Sequence, residues 1–161
     1  MNDGLIPQLC EFYNIGPPKG PLVPLHGGRS HDVWRLTAER GDFVVKKLCA
    51  RFGGSINLEA FRYAQALAHL IYQKKLPVVP AIINKKQDVF WQTGDDYYML
   101  FPYIAGKLLS GRHVTEAAAE RVGDFLARLH GLMLEPPTAA PVWSYTWDAA
   151  VWEGYSKVLQ T

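Results

Sequence analysis

The sequence predicts an α+β fold in which an antiparallel sheet and one long helix precede further helices. Three observations predict it. Residues 33–37 alternate apolar and polar side chains, and a turn cluster at 38–42 leads back into the apolar run at 43–45. Helical periodicity follows from residue 56 to about residue 75. A second helical pattern begins near Thr115.

Length and composition limit the classes of protein. A chain of 161 residues is one domain of ordinary size. With 48% hydrophobic residues, and 17 Lys and Arg against 15 Asp and Glu, it has the composition of a soluble globular protein with little net charge. Nucleic acid and membrane are therefore not expected partners. No apolar run reaches the roughly 18 residues of a membrane helix and the start lacks basic residues, so we expect a cytoplasmic location.

The first half of the chain predicts a short helix, three strands and a long helix. Residues 5–13 form the short helix, and the Gly- and Pro-rich stretch 16–21 forms a loop. Residues 25–48 read as strand, Gly-Gly turn, strand, tight turn and strand. Ser55 is the expected N-cap of the long helix. Cys10 and Cys49 have no metal-ligand spacing and are expected to be free thiols.

The second half predicts a strand, a hairpin, a linker and a second long helix. Residues 81–84 begin a strand, and residues 89–92 and 97–101 flank a turn cluster. Residues 102–106 break the strand pattern, as a hinge or linker does. Thr115 can cap the next helix, and Gly131 is placed to end it. A last short helix is expected over residues 147–159, within a tail whose aromatic side chains need a surface to pack on: Trp143, Tyr145, Trp147, Trp152 and Tyr155.

Two residues of the first half suggest a charged pair. Glu59 lies at the margin of the apolar stripe of the long helix, and Lys46 ends the preceding strand. A carboxylate beside apolar residues is costly to desolvate without a partner, and Lys46 has the right sign. Glu59 can equally point to water near the helix N-terminus, where the helix dipole favours it. The spacing leaves both readings open.

The order of these elements resembles the N-terminal lobe of kinase-like small-molecule phosphotransferases. The closest named group is the aminoglycoside phosphotransferase and choline kinase superfamily, which includes homoserine kinases, fructosamine kinases and some bacterial Ser/Thr kinases. The resemblance covers roughly residues 20–133 and rests on an ordered set of weak motifs. It implies a protein-kinase-like N-lobe with its hinge over residues 1–106, and the helical start of a truncated C-lobe over residues 107–161.

The resemblance also implies a nucleotide site. Gly27, Gly28 and Ser30 look like the family's nucleotide-positioning loop, although an ordinary hairpin turn has the same composition. Lys46 looks like the phosphate-binding lysine, with Val44 on the same strand face against the adenine. The alternative for Lys46 is a solvated strand lysine.

Four more positions match the family by order. Glu59 is similar in position to the glutamate that pairs with the phosphate-binding lysine. Residues 98–106, with Met99, look like the strand and hinge at which adenine bonds to main-chain groups, here those of Tyr103 and Ile104.

The resemblance implies ATP and Mg²⁺ as cofactors and leaves the catalytic half unassigned. The family's catalytic loop needs a histidine, then an aspartate base, then a metal-binding asparagine, with a second metal-binding aspartate further on. Each of the 5 histidines is followed by a different pattern. No catalytic or metal residue is therefore assigned, the metal ligands are expected on a C-lobe not shown, and the chain is expected to be inactive alone.

The predicted function is the ATP-binding lobe of a phosphotransferase that moves the γ-phosphate of ATP to an acceptor hydroxyl. Aminoglycoside, choline, homoserine and protein serine all remain open as acceptors. One alternative is a non-catalytic lobe that self-associates or binds a partner through the aromatic tail. Another is an unrelated α+β domain whose hairpins imitate the lobe.

Overall fold

The fold is α+β, as predicted. The computed structural model describes residues 4–26, 31–49, 56–106 and 114–132. In chain order the elements are α1 (Leu5–Phe12), β1 (Val23–Pro24), β2 (Asp32–Ala38), β3 (Gly41–Leu48), α2 (Leu58–Gln73), β4 (Phe90–Thr93), β5 (Asp96–Pro102) and α3 (Glu116–His130). The strands form one antiparallel sheet in the order β1-β2-β3-β5-β4. This arrangement is consistent with a kinase-like N-lobe.

Several sequence predictions fall outside the described residues. They are the Gly27-Gly28 turn, Ser55, the segment 107–113 and the tail with its expected short helix and its expected role in self-association.

The two faces of the sheet pack against different helices. Leu36, Val45 and Leu100 share one face, which is buried against Leu9 and its neighbours on α1. We call this the α1 face. The other face carries Leu48 and Met99, which pack against residues of α2. We call it the α2 face. Because strand residues alternate between faces, Lys46 lies on the α2 face and Lys47 on the α1 face.

Helix α1 forms part of the core. Leu9 is fully buried, Cys10 is 1% exposed, and the ring of Tyr13 follows them into the same apolar cluster. The Tyr13 hydroxyl donates a hydrogen bond of 2.8 Å to the carbonyl of Val89, which precedes β4. Burial raises the pKa of Tyr13, so its hydroxyl stays protonated and remains a donor. This bond fixes the end of α1 to the edge of the sheet that β4 forms.

The N-cap of helix α2 lies two residues after the predicted N-cap, Ser55. Its N-cap is Asn57, whose side chain accepts a hydrogen bond of 3.0 Å from the Ala60 N–H. Serine and asparagine are about equally good caps, so residue type alone did not decide between Ser55 and Asn57. The helix then runs to Gln73, and Lys75 adopts a positive φ before Leu76 returns to the core.

The predicted strand at residues 81–84 is wrong. This segment makes one backbone bond to the sheet, from Ile82 N–H to the Leu100 carbonyl at 2.7 Å. The polar groups of Ala81 bond instead to two side chains of α2: Gln65 Oε1 accepts from the Ala81 N–H at 2.8 Å, and His69 Nε2 lies 2.9 Å from its carbonyl oxygen. Two side chains one turn apart on α2 therefore take up the hydrogen bonds that a neighbouring strand would otherwise make.

The second hairpin and the second long helix are confirmed. Strands β4 and β5 pair from Phe90 and Met99 to Thr93 and Asp96. The Thr115 side chain caps α3 by accepting from the Ala118 N–H at 3.2 Å. Gly131 ends the helix, with a right-handed φ of −74°.

Other sequence expectations have simple outcomes. Cys10 and Cys49 are free thiols. Among the helices that the structure describes, none has the length and apolar character needed to cross a membrane.

An ion pair ties α2 to the turn before β4. Arg62 donates to the Asp88 carboxylate through Nη2 at 2.7 Å and through Nε at 3.2 Å. Burial acts to raise the pKa of Asp88, but the bonds from Arg62 and from the Val89 N–H outweigh it, so the pKa lies below its ordinary value. A depressed folded pKa means that this stabilisation is present above about pH 4 and is lost as the pH falls through the folded value.

We expect Asp88→Asn to lower the free energy of unfolding by up to about 1 kcal/mol at pH 7, because both partners of the pair are partly exposed. The loss should be smaller at pH 3 than at pH 7, because the wild-type carboxylate begins to take up a proton as the pH falls toward its folded pKa. Urea denaturation of both proteins at the two pH values measures the difference. Equal losses at both would contradict a role for the charge.

Candidate functional site

The α2 face brings together the main strand residues predicted for the nucleotide. In the register of β2, β3 and β5, Val33 lies opposite Lys46 and Lys46 lies opposite Met99. In the next row, Val44 lies opposite Phe101. Val44, Lys46 and Met99 therefore share one face, as predicted from strand alternation. Met99 is fully buried, whereas Val33, Val44 and Phe101 are half-buried and leave an apolar surface beside the lysine.

Lys46 is half-buried and its ammonium group lies over an aromatic ring. Its Nζ is 5.7 Å from the centroid of the Phe61 ring on α2. Burial lowers the pKa of Lys46. Among the residues that the structure describes, no carboxylate lies within ion-pair distance of Lys46. Lys46 is thus a partly desolvated cation, held by a ring and free to meet an anionic ligand.

Glu59 is not brought to Lys46. It lies in the first turn of α2 with its side chain exposed, which is the water-facing alternative left open by the sequence. A negative charge there is stabilised by the helix dipole. The predicted Lys46–Glu59 pair is therefore not formed in this structure.

Lys47, the next residue of β3, behaves differently from Lys46. Its Nζ is 2.6 Å from Asp96 Oδ2 and 5.9 Å from the centroid of the Tyr98 ring. The hydrogen bond from Lys47 to Asp96 raises the lysine pKa, whereas that of Lys46 is lowered. Adjacent lysines thus have opposite environments, which makes Lys47 a matched control for Lys46.

The segment predicted to be the hinge is anchored to β3 by a network that the sequence did not reveal. The Tyr103 N–H donates to the Asp42 carbonyl at 3.0 Å, and the Arg35 guanidinium lies 4.4 Å from the centroid of the Tyr103 ring. Arg35 also donates to the Asp42 carboxylate at 2.7 Å. Hydrogen bonds from Thr37 and then Arg35 lower the pKa of Asp42, which keeps the carboxylate charged.

This network bears on the two predicted hinge residues. The Tyr103 N–H is already used, so it is not free for an adenine base. Ile104 is 66% exposed, and it follows the anchored residue directly. The bond to the Asp42 carbonyl uses one main-chain group of Tyr103, and the contact of a base with the remaining main-chain groups of Tyr103 and Ile104 stays a prediction. The alternation of β2 places Arg35 in the same row as Val44, and this signal could have identified Arg35 from the sequence.

The ends of β2 and β3 meet beside Lys46. The Cys49 N–H donates to His31 Nδ1 at 3.2 Å, and the His31 ring meets the Phe61 ring edge-on with centroids 5.7 Å apart. Gly27, Gly28 and Ser30 lie outside the described residues, immediately before this point in the chain. Phe61 and His31 were not predicted as site residues, because a phenylalanine on an amphipathic helix reads as an ordinary core residue.

The described residues contain no group of three or more histidine, cysteine or acidic side chains arranged to hold a metal ion.

Comparison with known proteins agrees with this geometry. The model of the phosphotransferase enzyme family matches residues 21–158, from just before β1 to near the end of the chain. No curated protein matches the sequence. The family match excludes an unrelated α+β domain, and it confirms the resemblance to the aminoglycoside phosphotransferase and choline kinase superfamily. The chain belongs to the phosphotransferase enzyme family.

Proposed function

We propose that this chain binds ATP on the α2 face of its sheet, as the nucleotide-binding part of a phosphotransferase that acts on a small-molecule hydroxyl. The observation that carries the proposal is the half-buried Lys46 beside an open apolar surface in a chain of this family. In this proposal residues 4–106 hold the nucleotide lobe and its hinge, and α3 begins a second, helical lobe.

The surface fits a nucleotide chemically. Val44, Phe101 and Val33 offer apolar contact to a planar base, and the Ile104 main chain offers hydrogen bonds at its edge. Lys46 supplies a cation for the phosphates. During phosphoryl transfer such a cation stabilises charge on the transferring group. We propose that Mg²⁺ arrives with the phosphates, and no step here depends on it.

The test is the thermal midpoint with and without saturating Mg-ATP. Ligand at a hundred times its Kd adds about 2.7 kcal/mol to a protein that binds only when folded, so we expect the midpoint to rise by several degrees. Lys46→Ala should lose most of this rise.

Lys47→Ala is the matched control. It removes a lysine from the same strand, and its pair with Asp96 faces the other side of the sheet. Its midpoint without ligand should fall slightly, and its rise with Mg-ATP should match the wild type. A wild-type protein that shows no rise would refute nucleotide binding by this chain. A full rise in Lys46→Ala would refute the assigned site.

A further inference from the structure

The inward side of α2 can be identified from its contacts. Leu58 and Phe61 pack on the cluster that contains Leu48 and Met99. Gln65 and His69, four and eight residues beyond Phe61, bond to the main chain of Ala81, which belongs to the same cluster. At about 100° per residue these positions form one stripe along the helix.

Glu59 lies off this stripe. It stands two residues from Phe61, which places it about 200° around the helix axis, and its side chain is exposed. It is also the only acidic residue between Leu58 and Gln73. To turn Glu59 toward Lys46, α2 would have to rotate by about half a turn. Such a rotation breaks the two bonds from Gln65 and His69 to Ala81, at 2.8 and 2.9 Å.

Phe61 occupies the place beside the lysine. Lys46 Nζ lies over its ring at 5.7 Å, within the range of a cation–π contact. The Phe61 ring also meets the ring of His31, the residue just before β2, in an edge-on arrangement with centroids 5.7 Å apart. Because Lys46 is partly desolvated, the attraction between cation and ring is stronger than it would be in water.

We propose that Phe61 is the positioning residue for Lys46, and that an aromatic ring here takes the place that a helix carboxylate has in a lysine–glutamate pair. This inference rests on the proposed nucleotide function. A ring attracts the ammonium group without neutralising it, so Lys46 keeps its full charge for the phosphates.

Mg-ATP titrations of four proteins test the proposal by Kd: the wild type, Phe61→Leu, Phe61→Tyr and Glu59→Gln. Phe61→Leu keeps an apolar side chain and removes the ring. We expect the Kd for Mg-ATP to rise about twofold to thirtyfold, which is the ratio that corresponds to the free energy of a cation–π contact. Phe61→Tyr restores the ring and should bind within about twofold of the wild type. Glu59→Gln is the discriminating variant, and its Kd should also stay within about twofold.

Two results would overturn the proposal. One is wild-type affinity in Phe61→Leu. The other is a loss in Glu59→Gln as large as that in Lys46→Ala, which would show that α2 turns on binding and that the carboxylate holds the lysine.

A second measurement needs neither nucleotide nor a stable Phe61→Leu variant. Reductive methylation with ¹³C-formaldehyde labels lysines and keeps their charge. The Lys46 signal, assigned by its absence in Lys46→Arg, should lie upfield of the other lysine signals because it sits over a ring, and it should keep that position in Glu59→Gln. An unshifted Lys46 signal overturns the proposal. If wild-type protein fails to bind Mg-ATP while this signal is shifted, the proposed function fails and the placement of Lys46 by Phe61 stands.

Discussion

Replacing Asn84 by alanine should lower the free energy of unfolding by about 2 to 4 kcal/mol, because buried backbone groups lose their partners. Asn84 is 3% exposed. Its Nδ2 donates to the Phe90 carbonyl at 2.7 Å, and its Oδ1 accepts from the N–H groups of Lys86 at 2.8 Å and Asp88 at 3.2 Å. One side chain therefore closes the turn before β4 and bonds to the first residue of that strand. Urea denaturation of the two proteins measures the difference.

Asn84→Asp separates the two functions of this side chain. It keeps an acceptor for Lys86 and Asp88 and removes the donor to Phe90, so at pH 7 a buried carboxylate faces a carbonyl. Burial raises the folded pKa of such a group above its unfolded value. Relative to the wild type, the stability of this variant should therefore be highest at low pH, where the acid can donate to Phe90, and should fall as the pH rises through the folded pKa. An alanine variant as stable as wild type would contradict the role of Asn84.

Replacing Leu9 by alanine should cost about 2 to 5 kcal/mol, the usual range for a fully buried leucine. Leu9 has no exposed surface and packs in the cluster that covers the α1 face of the sheet. The family match begins only at residue 21, so this experiment asks whether α1 belongs to the folding unit that contains the matched residues. The measurement is the midpoint of thermal unfolding together with the urea slope.

Gln8→Ala is the matched control, since Gln8 neighbours Leu9 on α1 and is exposed. Its stability should lie within about 0.5 kcal/mol of the wild type. If Leu9→Ala were as harmless as Gln8→Ala, α1 would be an appendage on a sheet that folds without it.

Much of the sheet could be predicted because its information is local. Alternation in β2 and β3, and a turn cluster between β4 and β5, are properties of neighbouring residues, and they placed Val44 and Lys46 on one face. The cap at Thr115 is local in the same sense. These features could be predicted without knowing which distant segments of the chain contact each other.

The remaining features depend on contacts between distant segments. Residues 81–84 have strand-like composition, yet their partners are Gln65 and His69, whose polar side chains read as surface residues of a helix. Whether Glu59 or Phe61 faces Lys46 depends on the rotation of α2 about its axis, and a broad half-buried helix surface leaves that rotation undetermined in the sequence. The bond from the Tyr103 N–H to the Asp42 carbonyl extends the sheet one residue past the strand pattern, so the sequence did not show that a main-chain group of Tyr103 already has a partner.

The bonds that hold α2 to Ala81 also determine which positions of this protein can tolerate substitutions during evolution. Both bonds end on main-chain atoms, and every residue type except proline can supply them. The complete burial of position 81 further requires a small, apolar side chain there. The demand falls on Gln65 and His69, one turn apart, which have to supply an acceptor and a donor together. A lineage that lost one of them would have to rebuild the contact from the helix side, whereas position 81 would keep both bonds with any small, apolar residue other than proline.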